Sequence, residues 1–211
     1  MMTLKTLNNR AMAWIKIAVF LLALIPLLKL GSGAYFDSLG ANPIEKITRT
    51  TGYWALSFLL ISLTVTPLRR FSGWNWLLRL RRILGLFAFF YASLHFLTYL
   101  VLDQFFDWTS IVNDIVKRPY ITVGFPAFIL LVPLAVTSNN RVIKLLGGKR
   151  WLLLHRAVYF CAIGGVVHYW WLVKKDHASP LTFAMLLTLL LGIRLFYWLQ
   201  GLNKSGLFTV C

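Results

Sequence analysis

Four histidines carry most of the chemistry legible in this sequence, and three of them, His95, His155 and His168, stand in stretches otherwise built from apolar residues. An imidazole is costly to bury in such surroundings, so each is by default a candidate functional group. His177 follows Lys174, Lys175 and Asp176 in a short polar segment and reads as solvated. No Asp or Glu lies within the apolar stretches, which weakens a proton-relay transporter. A tetrahedral zinc site would also lack ligands, since Cys161 is the nearest thiol. Two imidazoles opposed across a helix bundle instead suit the two axial positions of a heme iron.

The elements that must hold these residues are membrane spans. The chain is 59% hydrophobic and only 13% charged, far more apolar than an average soluble domain. Stretches of about 20 apolar residues, the length a spanning helix needs, occur at roughly 14–30, 51–66, 83–102, 121–137, 151–173 and 180–199. An all-α bundle of six transmembrane helices in a single domain over 1–211 is therefore expected. The first run has no clear cleavage site and reads as a helix that stays.

A net charge of +16 would suit nucleic acid, but its distribution points to topology. Lys29, Lys46, Arg49, Lys117, Arg118, Lys174 and Lys175 fall on one side of the expected bundle with every acidic residue, Asp37, Glu45, Asp103, Asp107, Asp114 and Asp176. All other Lys and Arg, from Lys5 and Arg10 to Arg194 and Lys204, fall on the opposite side. This positive-inside pattern puts both termini in the cytoplasm and leaves nucleic acid no role.

Depth sorts the histidines. At 1.5 Å per residue, His95 lies about 20 Å beyond Arg82 and His168 about 27 Å beyond Arg150, both in the outer half, so they are expected to face each other. His155, about 8 Å from Arg150, belongs to the inner half. It is thirteen residues from His168, about 20 Å on an ideal helix, too far to share one iron. On a straight helix the two side chains would also diverge by about 140°. Gly164 and Gly165 are where a distortion would be sought. The position on helix 3 opposite His155 is filled by Arg81 and Arg82. A second heme would need a non-histidine ligand there. Otherwise His155 serves a propionate, a flavin or a quinone. Arg79, Arg81 and Arg82 serve as topology determinants, or bind heme propionates or a flavin phosphate through their planar forks.

Smaller signals complete the expectation. Thr66 and Pro67 are read as ending helix 2, and Pro126 and Pro133 as kinking helix 4. The segment from about 103 to 120 carries Phe105, Phe106, Trp108 and Ile111 and is expected to lie along the interface. Cys161 reads as a small packing residue, and Cys211 carries no legible chemistry.

The ordered set Asn42-Pro43, Thr51-Gly52, Thr66-Pro67-Leu68-Arg69-Arg70, Arg81-Arg82-x-Leu84-Gly85-Leu86, Leu94-His95-x3-Tyr99, Lys117-Arg118-Pro119-Tyr120-Ile121-Thr122-x-Gly124, Thr137-Ser138, Leu146-Gly147 and Trp151-x3-His155-Arg156-x2-Tyr159, followed by His168 and Trp171, resembles the bacterial MsrQ family, also called YedZ. That family belongs to the ferric-reductase-like transmembrane superfamily. The resemblance implies an inner-membrane subunit with one or two b-type hemes, which passes electrons from a cytoplasmic flavin reductase or quinol to a periplasmic molybdopterin-containing partner, MsrP. The partner reduces methionine sulfoxide in envelope proteins, and some family members also bind flavin mononucleotide (FMN). Carried over by position, the heme-ligand candidates are His95, His155 and His168, and the place where the subfamily departs from the four-histidine oxidases of the superfamily is Arg81 and Arg82. The chain itself shows no nucleophile and base pair, as befits an electron-transfer subunit. A transporter or membrane scaffold with structural histidines is the competing class.

Overall fold

Polar caps extend the spans beyond the apolar runs that mark them. The computed structural model describes residues 7–206, with side chains placed through residue 200. Lys5, Cys211 and the side chain of Lys204 lie outside that description. Helix α1 (Asn9–Tyr35) begins at Asn8, whose side chain accepts the Arg10 N–H. Helix α2 (Pro43–Ser72) begins at Asn42, whose Oδ1 accepts the Glu45 N–H at 3.1 Å while its Nδ2 donates to the Glu45 carboxylate. Each cap satisfies amide donors that a helix start leaves free. Helix α2 stops at Gly73, whose φ of 73° is the left-handed turn glycine accepts most readily.

The third span is composite: a 3₁₀ segment Asn75–Leu80, helix α3 (Arg81–Leu97) and a π-helical end Thr98–Asp103. A short helix α4 (Trp108–Lys117) follows, capped by Asp107. Next come α5 (Pro119–Val136), the short α6 (Asn140–Leu146), α7 (Gly148–His155), α8 (Val158–Leu172) and α9 (Ala178–Gly206). Six stretches are long and apolar enough to cross a membrane: α1, α2, residues 75–103, α5, residues 148–172 and α9. No strand occurs among the described residues.

Two expectations need correction. Helix α2 does not end at Thr66 and Pro67 but runs five residues past Pro67. A proline inside a helix has no N–H for the carbonyl four residues earlier, here that of Leu63. Arg194 on α9 donates its Nη2 to that carbonyl at 2.6 Å. The span expected at 151–173 is broken at Arg156 and Ala157, not at Gly164 and Gly165, which sit within continuous α8. Bonds of three-residue reach, Ala157 N–H to Leu154 and Tyr159 N–H to Arg156, tighten the chain at the break. The two glycines serve packing instead: a Cβ on Gly164 would stand 3.0 Å from the Ala127 Cβ, and one on Gly165 would stand 3.2 Å from Leu56. Small residues at a helix contact are how backbones approach closely in lipid. Helix α5 holds both Pro126 and Pro133 within one continuous helix.

The core lies between α2, α3, α8 and α9. Leu59, Leu60 and Leu63 meet Ala88 and Tyr91, with Cys161, Ala162 and Leu187 closing it. Cys161 is a buried free thiol filling space there. Helix α1 exposes Trp14, Leu21, Leu22 and Leu28, a surface suited to acyl chains. A buried polar tie secures α1: Tyr91, fully buried, donates its hydroxyl to the Ala23 carbonyl at 2.7 Å. Tyr91→Phe is expected to cost about 1 kcal/mol, read as a midpoint lowered by about 2–4 °C in detergent thermal unfolding.

Candidate functional site

Two helix pairs each carry one histidine to the middle of the bundle, and each does so in the same way. Helix α3 packs along α2, and His95 places its Nδ1 2.8 Å from the Thr48 carbonyl. Helix α8 packs along α5, and His168 places its Nδ1 2.7 Å from the Tyr120 carbonyl. Four residues after each of these carbonyls stands a glycine, Gly52 and Gly124. Neither has room for a side chain. A Cβ on Gly52 would meet the His95 ring at 3.0 Å, and one on Gly124 would overlap the His168 ring.

An Nδ1 that faces a carbonyl must carry the proton, which leaves Nε2 as the ring's free lone pair. The two rings lie with centroids 5.9 Å apart and planes 85° from parallel. Two imidazoles that share one metal through ~2 Å bonds have centroids roughly 6 Å apart. The pair, its carbonyl partners and the glycine notches therefore fit two axial nitrogens of one iron. Orientation of a ligating imidazole by a carbonyl on its other nitrogen is the usual supporting arrangement. Among the described residues no three His, Cys, Asp or Glu side chains converge on a point, so the donor set is two nitrogens. Such a set suits a metal that brings its own equatorial ligands, as heme iron does.

His155 lies elsewhere. Its Nε2 faces the Thr137 hydroxyl at 3.1 Å, and its ring stacks on Trp151 at 4.0 Å. The Trp151 Nε1 in turn donates to the Thr137 carbonyl at 3.0 Å. Both histidines of the α7–α8 unit thus bond to α5, His168 near its start and His155 just past its end, and the break at Arg156 and Ala157 lies between them. Of the two arginines expected opposite His155, Arg81 is within electrostatic reach of it. Arg82 instead donates to the Asn140 side chain at 3.0 Å, on the α6 side of the bundle. His177 departs from the solvated reading: it is half-buried, with its ring 5.1 Å from that of Trp170.

The end of the bundle nearest the histidine pair is braced by α4. Asp114, buried on that helix, accepts from Tyr99 at 3.2 Å and Gln104 at 3.3 Å and pairs with Arg118 at 2.9 Å. Arg118 donates to the Tyr120 hydroxyl, a bond that, with Asp114 beside it, holds the guanidinium above its ordinary range. The opposite face of α4 exposes Trp108, Val112 and Val116. The expected interfacial segment is therefore an amphipathic helix. Sequence reading missed the two carbonyls, Thr137 and Arg194. The last had a signal, since an arginine inside the apolar run of α9 is costly in a membrane.

Residues 51–166 match the family model described as the ferric reductase like transmembrane component. The matched region contains Arg81, Arg82, His95 and His155 and ends two residues before His168. The chain is 54% identical over 194 residues to a protein of Herminiimonas arsenicoxydans described as the protein-methionine-sulfoxide reductase heme-binding subunit MsrQ, covering 91% of this chain and 89% of that one. A protein of the same description from Azospira oryzae is 58% identical over 186 residues, 88% of this chain and 80% of its own. Another, from Bordetella pertussis, is 46% identical over 197 residues, 91% and 94%.

Proposed function

The chain belongs to the MsrQ family of ferric-reductase-like membrane proteins, and from that premise we propose that it is the heme-bearing subunit of a bacterial methionine sulfoxide reductase system, set in the inner membrane. The observation that carries the reading is the His95–His168 pair, with two ring planes at 85° and both Nδ1 atoms fixed by carbonyls. A b-type heme bound between them supplies one-electron redox chemistry. Everything else is done by the chain. His95 and His168 present Nε2, Thr48 and Tyr120 hold the rings in one tautomer, Gly52 and Gly124 keep the space open, and the apolar spans exclude water. Electrons enter at the basic, cytoplasmic end from a flavin reductase or quinol. They leave at the other end to a periplasmic molybdopterin-containing partner of the MsrP kind, where the sulfoxide is reduced.

His155 and Arg81 mark a second level near the basic end. There they hold a second heme, or His155 serves FMN or quinone while Arg81 takes an anionic group. Heme counting decides between these. His155→Ala is expected to lower the heme-to-protein ratio by about one equivalent if a second heme is ligated there, and to leave it unchanged if His155 serves another cofactor. The reading as a whole is tested by an optical spectrum of the chain made in heme-replete cells. A Soret band that shifts on dithionite reduction is expected, and its absence would sink the proposal.

A further inference from the structure

Arg194 is the only charged side chain within the apolar part of α9, and its surroundings leave one of its forks unused. Nη2 is committed to the Leu63 carbonyl that Pro67 leaves free. The guanidinium lies over the Tyr159 ring, 5.2 Å from its centroid. Nη1 is fully buried and has no hydrogen-bond partner. An N–H of a charged group buried without an acceptor is costly, so a missing acceptor is implied. The charge balance points the same way. Arg70, in the last turn of α2, lies over the Tyr197 ring of α9, 4.4 Å from its centroid, and Arg81 opens α3 at the same end of the bundle. All six Asp and Glu of the chain lie toward the other end of the bundle: Asp37, Glu45, Asp103, Asp107, Asp114 and Asp176.

We infer that the basic end of the bundle holds a site for an oxyanion, a carboxylate or phosphate group of a larger ligand, bound by Arg194 and Arg81 beside Tyr159. Such a group offers the several oxygen acceptors that a guanidinium fork matches and the negative charge that three neighbouring arginines need. The capping of Leu63 explains Nη2 but not Nη1 or the convergence of like charges. Three sources have this chemistry: the carboxylates on the edge of a porphyrin, the phosphate of a flavin nucleotide and the phosphate of a lipid. The porphyrin and flavin sources rest on the function proposed above; the lipid source does not.

The test uses the full chain, purified from membranes, with two variants. Arg194→Gln removes the charge and keeps an amide donor for Leu63. Arg81→Gln leaves the Leu63 bond untouched, so it keeps the test alive if the first variant does not fold. Each is compared with wild type for heme, flavin and total bound phosphorus per chain. The expected result is that both lose the same group, by about one equivalent per chain. Lost heme identifies the porphyrin carboxylates, lost flavin with phosphorus identifies the nucleotide, and lost phosphorus alone identifies a lipid. Retention of every bound group in either folded variant overturns the inference. The heme spectrum of the His95–His168 pair is read in the same samples. If it is missing from wild type, the failure belongs to the functional proposal and not to the anion site.

Discussion

Replacing His95 or His168 with alanine is expected to abolish the heme held between them, lowering the heme-to-protein ratio by about one equivalent per chain. Each removes one of the two nitrogens that the bundle aims into that space. The two variants should behave alike, because the rings are supported by equivalent carbonyl bonds of 2.8 and 2.7 Å. In the wild type, ring planes at 85° should give the strongly anisotropic low-spin ferric signal that perpendicular imidazoles produce in electron paramagnetic resonance. A signal typical of parallel planes would show that the rings turn when iron binds. Unchanged heme content in both alanine variants would show that the axial ligands are other residues.

Adding a single methyl group at Gly124 should be nearly as damaging. The new Cβ would overlap the His168 ring, and its neighbours there are ring atoms, not the end of a flexible chain. The ring must move off the Tyr120 carbonyl, and loss of such a supporting bond typically weakens metal binding about 10–100-fold. Gly52→Ala is the graded comparison. Its Cβ would stand 3.0 Å from Nδ1 and 3.1 Å from Cε1 of His95, a contact that a shift of a few tenths of an ångström relieves. A shifted midpoint potential with retained heme is expected. Gly85→Ala, where nothing lies within 4 Å, should change neither. The measurements are heme retention under detergent dilution and a redox titration. Equal effects from all three substitutions would reduce them to a general loss of helix packing.

The sequence makes the spans and the pairing legible, for reasons that also mark where it stops. Apolar length identifies six crossings because lipid demands it, and counting along helices of equal direction brings His95 and His168 to one level because the rise per residue is fixed. Ends are less legible. Helix α1 starts five residues before its apolar run and α2 eight, because Asn8 and Asn42 cap them. The break at Arg156 and Ala157 has no proline or glycine to announce it. On either side of it, His155 and His168 bond to residues of or just past α5 that are eighteen and forty-eight residues away in sequence. Pro67 reads as a terminator only while its neighbour α9 is out of view. With Arg194 supplying the missing donor, the helix has no reason to stop.

The repeated arrangement of carbonyl, glycine and histidine has a consequence for biogenesis. The first half of the proposed iron site is complete once α3 has left the ribosome, but its counterpart on α8 is synthesised more than seventy residues later. Until then His95 presents an unmatched lone pair to lipid or to free porphyrin. The cofactor can therefore be clamped only after the fifth crossing is inserted, and a chain arrested before that crossing would expose half a socket. Under the proposed function, heme capture would require that two separately inserted hairpins have met in the correct register.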